Sequence, residues 1–179
     1  MTLALEQTQI LFRMRCMMKK WVAAIMLVAL VAIDQVTKYL AKAFLESKEA
    51  FVIIKNVLEL QYLEGGNTGA AFGLFAGKTL VLAVVSLVVF FLLLFAIYKF
   101  SKEPKNFWLC ISLVVMASGA LGNCIDRFIN QYVIDFIYLK CIDFPIFNVA
   151  DCYVTVSAVV IFLLVAFSKE EEKENQKDG

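Results

Sequence analysis

Histidine occurs nowhere in the 179 residues. Its absence excludes Ser-His and Cys-His nucleophilic chemistry and most zinc sites, and leaves carboxylates as the obvious acid–base groups. The five cysteines, Cys16, Cys110, Cys124, Cys141 and Cys152, are odd in number and include no Cys-x-x-Cys pair. Cys16, Cys110, Cys124 and Cys152 lie in or beside apolar runs, where a small buried hydrophobe is the expected role. A formal net charge of +1, with no interleaving of basic and aromatic residues, gives no basis for a nucleic-acid partner. A complete phosphate loop is missing too. Gly73-Leu74-Phe75-Ala76-Gly77-Lys78-Thr79 approaches one, but Phe72 stands where glycine is needed. No cofactor and no metal is called for.

What the chain has is apolar surface. It is 61% hydrophobic with a mean hydropathy of +0.78. A soluble domain of this length could not cover so much of it, so the class is an all-α polytopic membrane protein. Residues 1–20 read as an amphipathic lead ending in Arg13, Arg15, Lys19 and Lys20. The uncharged run from Trp21 to Ile33 has the length of a signal-peptide core, and Ala41-Lys42-Ala43 mimics a cleavage site. Asp34 and Lys38 interrupt that path, so a retained helix of roughly 20 residues is expected. Three more spans follow at Thr79–Tyr98, Phe107–Ile125 and Phe147–Phe167. The membrane domain therefore covers 21–167, and the charged stretch 168–179 reads as a disordered tail.

Between the first two spans the period changes. Leu58, Leu60 and Tyr62 alternate with Glu59, Gln61 and Leu63, which predicts a half-buried strand. Residues 46–78 are expected to form a small β element pressed on the membrane surface. Ten of the 17 lysines and arginines fall on the side of the two termini. That bias puts both termini in the cytoplasm. Asp34, Asn67, Asn123, Asp126, Asp135, Asn148 and Asp151 then collect near the outer leaflet. Asp34 lies roughly 9 Å inside the boundary, four residues before Lys38, which can pair with it while snorkelling outward.

A carboxylate in hydrocarbon is a candidate functional group by default. Asp135 lies just past the third span and Asp151 is the fourth residue of the last expected helix-forming motif, Asn148 to Asp151. Its carboxylate is expected about 6 Å below the surface. Two close carboxylates share a proton, so one can activate water while the other polarises a carbonyl. The two carboxylates alone leave a protease and an ion site equally open.

Five motifs in order add to this. They are Asp34-Gln35-Val36-Thr37-Lys38, Asn67 to Gly73, Gly119 to Arg127, Val133-Ile134-Asp135-Phe136 and Phe144 to Asp151. Over roughly residues 20–167 the chain resembles lipoprotein signal peptidase, also called signal peptidase II. The resemblance implies four membrane helices and an aspartic endopeptidase of the bacterial cell membrane. It further implies substrates that are diacylglyceryl-modified prolipoprotein signal peptides, cut just before the modified cysteine. Asp135 and Asp151 match the catalytic dyad. Asn123, Arg127 and Asn148 match residues that brace the dyad or contact substrate backbone, and Asp34, Lys38 and Asn67 match supporting positions.

Asp126 is the rival to Asp135, but its neighbour Arg127 suggests a neutralised structural role. Gln131 departs from the family pattern, in which glycine is expected. Asp143 reads as solvated loop. Membrane lipids are expected neighbours, and a monomer is expected. The alternatives are a proton-coupled transporter or channel, disfavoured because the second span has no ionisable residue between Thr79 and Tyr98, and a structural assembly subunit.

Overall fold

The computed structural model describes residues 20–69, 75 and 77–175, with 168–175 as backbone alone. The expected lead before Lys20 and most of the small-residue stretch after Gly69, including the Phe72 position of the phosphate-loop-like sequence, lie outside the described residues.

Four helices form where long uncharged runs predict them: α1 (Lys20–Leu45), α2 (Thr79–Phe100), α3 (Phe107–Ile129) and α4 (Val149–Asn175). All four contain a stretch long and apolar enough to cross a membrane. In hydrocarbon a backbone must satisfy its own hydrogen bonds, which favours continuous helix over any open form. The helices run past the expected spans. α1 continues through Ala41-Lys42-Ala43, and Ala41 is buried in a cluster with Tyr62, Ile134 and Phe136. α4 remains helical to Asn175, so the expected irregular tail is helix over 168–175. Its Lys and Glu residues are good helix formers, and composition alone understated that propensity.

α3 is the centre of the bundle and packs against α1, α2 and α4. Its apolar window is 56% buried, against 11% in each of the other three. Small residues explain the difference, because they let neighbouring backbones approach. A Cβ on Gly119 would lie 2.5 Å from the Ala150 carbonyl of α4, and one on Gly122 would collide with the Asp34 carboxylate of α1. α2 is apolar all round and exposes Val88, Phe91, Leu92 and Phe95. In a membrane those side chains face lipid.

A three-stranded antiparallel sheet, β1 (Phe51–Ile54), β2 (Leu58–Leu60) and β3 (Ile137–Leu139) in that order, sits beside the bundle. The expected β element therefore draws its third strand from the connector before α4. Three residues are too few for a period to be visible in sequence. β2 also buries the unexpected face. Glu59 is 5% exposed and pairs with Lys140 at 2.8 Å, while Leu58 and Leu60 are only half-buried.

The connector is pinned by backbone on both sides. Leu63 N donates to Asp135 O at 3.0 Å, Gln61 N to Phe136 O at 2.9 Å, and Phe136 N to Phe147 O at 3.0 Å. Asn67 and Val133 exchange both backbone bonds at 2.9 and 2.8 Å. Lys42 Nζ donates to the Tyr132 hydroxyl at 3.0 Å, fastening α1 to the same connector.

Candidate active site

The site begins with the start of α4. Asn148 is the residue before the helix, and its Oδ1 accepts from the Asp151 backbone N–H at 3.0 Å. In return Asp151 Oδ2 accepts from the Asn148 backbone N–H at 3.1 Å. This reciprocal capping satisfies N–H groups that a helix start leaves without partners. Asp34 of α1 caps the next one, accepting from Ala150 N at 2.9 Å. A negative charge there is also favoured by the helix dipole.

Asn148 then joins the two candidate dyad members. Its Nδ2 donates to Asp135 Oδ1 at 2.6 Å and to Asn123 Oδ1 at 3.1 Å. Asn123 Nδ2 donates to Asp151 Oδ1 at 2.7 Å. The other Asp135 oxygen accepts from Asn67 Nδ2 at 2.9 Å. Asp135 is 1% exposed and Asn148 is 0% exposed, whereas Asp151 is half-buried. Burial and, next, the neighbouring Asp151 charge push the Asp135 carboxyl up from 3.8 to about 6, against the opposing pull of the two amide donors. The arrangement offers one enclosed carboxyl that keeps its proton readily and one more open carboxylate with two donors.

Behind this pair lies a second cluster. Lys38 Nζ contacts Asp34 at 3.0 Å, Asp126 at 3.1 Å and Asn123 Oδ1 at 2.9 Å. Lys38 is 1% exposed, so it does not snorkel outward as its place near a helix end suggested. Two buried carboxylates hold it in, which is how a buried charge is tolerated. Asp126 is fully engaged: its oxygens also accept from Ile134 N at 3.0 Å and Gln35 Nε2 at 3.2 Å. The cation that neutralises it is Lys38. Arg127, expected in that role, instead donates to the Asn123 carbonyl at 3.3 Å and the Gly69 carbonyl at 3.0 Å, and its Nε has no partner among the described residues.

Asp135, Asp151, Asn123, Asn148, Asn67, Asp34, Lys38 and Asp126 thus form one connected network, with Arg127 attached through the Asn123 backbone. Gln35 was missed as a site residue. It bridges Asp34 Oδ2, the Gly122 carbonyl and Asp126 at 3.2 Å each. Its place between Asp34 and Lys38 in an apolar helix was the available signal. The Asn148-Val149-Ala150-Asp151 spacing was a capping signal as well.

Outside the network, the expected burial holds for Cys110 and Cys124, each 1% exposed, with Cys124 Sγ donating to the Ala83 carbonyl, whereas Cys152 is only half-buried and Cys16 lies outside the described residues. Asp143 is exposed on its loop, as expected. Deeper in the bundle, Ser112, Ser118 and Ser157 turn their hydroxyls to carbonyls of their own helices. They offer no chain of free polar groups across the membrane.

A family model described as Signal peptidase (SPase) II matches residues 26–167. A protein of Streptococcus pyogenes serotype M1 named lipoprotein signal peptidase is 38% identical over 159 residues, covering 88% of this chain and 100% of that one. One of the same name from Clostridium acetobutylicum is 39% identical over 152 residues, covering 83% and 93%. A solved structure described as a bacterial membrane enzyme obtained by the in meso method at 2.3 Å resolution aligns with a TM-score of 0.72 and 27% identity, covering 89% of this chain and 94% of that one. A second, at 1.9 Å resolution, gives a TM-score of 0.68 and 28% identity over 82% and 93%.

Proposed function

The chain belongs to the signal peptidase II family, and on that premise we propose that Asp135 and Asp151 are its catalytic acid–base pair. As a membrane peptidase of that family it removes signal peptides from prolipoproteins. The finer reading is that the cut falls just before the diacylglyceryl-modified cysteine, at a site near the outer leaflet, in a monomer with both termini in the cytoplasm. The observation that carries the dyad is Asn148, whose amide holds Asp135 at 2.6 Å while its backbone N–H holds Asp151 at 3.1 Å.

The roles follow from the two environments. Asp135 is enclosed and its carboxyl is raised to about 6, so it is assigned the proton that the pair shares. Asp151, more open and held by the Asn123 amide and the Asn148 backbone, is the carboxylate that faces water. Asp151 takes a proton from water as the water oxygen bonds to the scissile carbonyl carbon. Asp135 gives its proton to the carbonyl oxygen, and a neutral gem-diol results. Asp151 then returns its proton to the amide nitrogen while Asp135 removes one from a gem-diol hydroxyl, and the C–N bond breaks. The products are an acid and an amine, and both carboxyls regain their starting states. Neither a nucleophilic side chain nor a covalent intermediate is needed.

Purified wild type, Asp135→Asn and Asp151→Asn are compared on a lipidated prolipoprotein peptide. Each variant is expected to accumulate in membranes and to lose cleavage by about 100- to 10,000-fold, the range that a positioned acid–base group contributes. Processing at the wild-type rate by either variant would overturn the assignment.

A further inference from the structure

Gly66 has two separate reasons to be glycine. Its φ of +67° is left-handed, and a Cβ there would run into the ring of Tyr132. One residue further along each segment, Asn67 and Val133 exchange both backbone hydrogen bonds, at 2.9 and 2.8 Å. Asn67 then donates its Nδ2 to Asp135 Oδ2 at 2.9 Å. Tyr132 on Gly66, Val133 on Asn67 and Asp135 on the Asn67 amide are thus three successive contacts between the same two segments.

The Tyr132 ring has an anchor of its own outside the connector. Its hydroxyl accepts from Lys42 Nζ of α1 at 3.0 Å and from the hydroxyl of Tyr62, a residue 5% exposed. The Lys42 bond draws the Tyr132 phenol below its ordinary range, as a charged donor does, with the Tyr62 bond next in effect. Among the described residues, neither Lys42 nor Tyr132 bonds to a carboxylate of the dyad. Their influence on the chemistry has to pass through Gly66 and Asn67. None of Lys42, Gly66 and Tyr132 lies in the five sequence motifs.

We infer that Tyr132, clamped between Gly66 and Lys42, is a positioning residue that keeps the Asn67 amide on Asp135. Lys42 is its anchor in α1, and the inference rests on the dyad reading given above. The Asn67 amide opposes the rise of the Asp135 carboxyl. An amide that drifts away therefore leaves that carboxyl less well aimed and titrating at higher pH.

The test uses the full chain in detergent and takes three readings on each variant. They are kcat and KM on a lipidated prolipoprotein peptide, a thermal melt, and infrared titration of the Asp135 carboxyl band, identified by its loss in Asp135→Asn. Lys42→Met and Tyr132→Phe remove the two ends of one bond. Each should lower kcat about 10- to 100-fold with KM little changed, and move the band to higher pH. Lys42→Arg, which restores a charged donor, should recover most of kcat. In an Asn67→Ala background, Tyr132→Phe should have no further effect on kcat or on the band, because the group it positions is gone. Tyr132→Phe keeps the ring on Gly66, so it carries the test if Lys42→Met fails to fold. An additive loss in the Asn67→Ala background, an unmoved band, or a lowered melt with kcat and band unchanged each overturns the proposal. The band needs no turnover, so the expected shift without any wild-type cleavage would overturn the peptidase reading alone.

Discussion

Asn148 and Asp151 cap one another: each accepts the other's backbone N–H through a side-chain oxygen, at 3.0 and 3.1 Å. The device that starts α4 is therefore also the device that aims one candidate catalytic carboxylate. Stability and activity meet in one residue, and substitution at Asn148 can pull them apart. Asn148→Ser retains a capping oxygen and loses the amide donor to Asp135. It should keep the melting temperature within a few degrees and lower the cleavage rate by about 100-fold or more. Asn148→Ala should lose both, with about 1–2 kcal/mol of stability going with the cap. Thermal melts in detergent alongside peptide cleavage check the separation.

The raised Asp135 carboxyl has a signed consequence for pH. Its folded value of about 6 exceeds the ordinary 3.8, so the native chain binds more protons than the unfolded chain between those limits. The stability it contributes is present below pH 4 and is lost as pH rises through 6, on the order of 2–3 kcal/mol. Asp135→Asn should flatten this part of the stability profile. Asp151→Asn should lower the Asp135 value, because it removes the second cause of the rise. Infrared titration of the Asp135 carboxyl band measures that shift, and an unmoved band would show the two acids to be uncoupled.

Asp126 and Asp135 were rivals in the sequence, and the geometry gives them different expected phenotypes. Asp126→Asn breaks the 3.1 Å contact with Lys38 and should cost stability while leaving measurable cleavage. Lys38→Met leaves Asp34 and Asp126 without their buried cation and should cost about 3–5 kcal/mol. The double variant Lys38→Met/Asp126→Asn should recover part of that loss. Complete loss of cleavage in a well-folded Asp126→Asn enzyme would return Asp126 to the dyad.

Gln131 follows the residue that caps the C-terminus of α3 and has a left-handed φ of 65°. Glycine adopts this conformation without strain and commonly ends helices in this way. Gln131→Gly should therefore raise stability by about 0.5–1 kcal/mol. Among the described residues its side chain bonds to the Phe128 carbonyl, at 3.4 Å, and to no residue of the site, so cleavage should not change. Matched melts and rates test both halves.

Much of this was legible in the sequence for reasons that can be named. Long uncharged runs have one stable form in hydrocarbon, so the four helices followed from hydropathy. The polar residues at their ends stood out because each is costly there without a partner. Partner choice was not legible. Lys38 and Arg127 are both cations near Asp126, and only the packing of α1 on α3 through Gly122 decides that Lys38 reaches it. The burial of Glu59 and the third strand were hidden for a similar reason. Both depend on Ile137–Leu139 returning to β2, a long-range pairing that no local period announces.

The pinning of the connector has one more implication. Asp151 rides on a membrane helix, but Asp135 is held in position by backbone bonds to residues 61–67 beside the sheet. The two acids are therefore placed by different parts of the chain, one by a helix and the other by a connector that is fastened both to residues 61–67 and to the helices, so catalytic competence reports how that connector is seated. Such an enzyme can be silenced by unseating the connector while its helices stay intact. Heat inactivation should therefore come before any loss of helical signal.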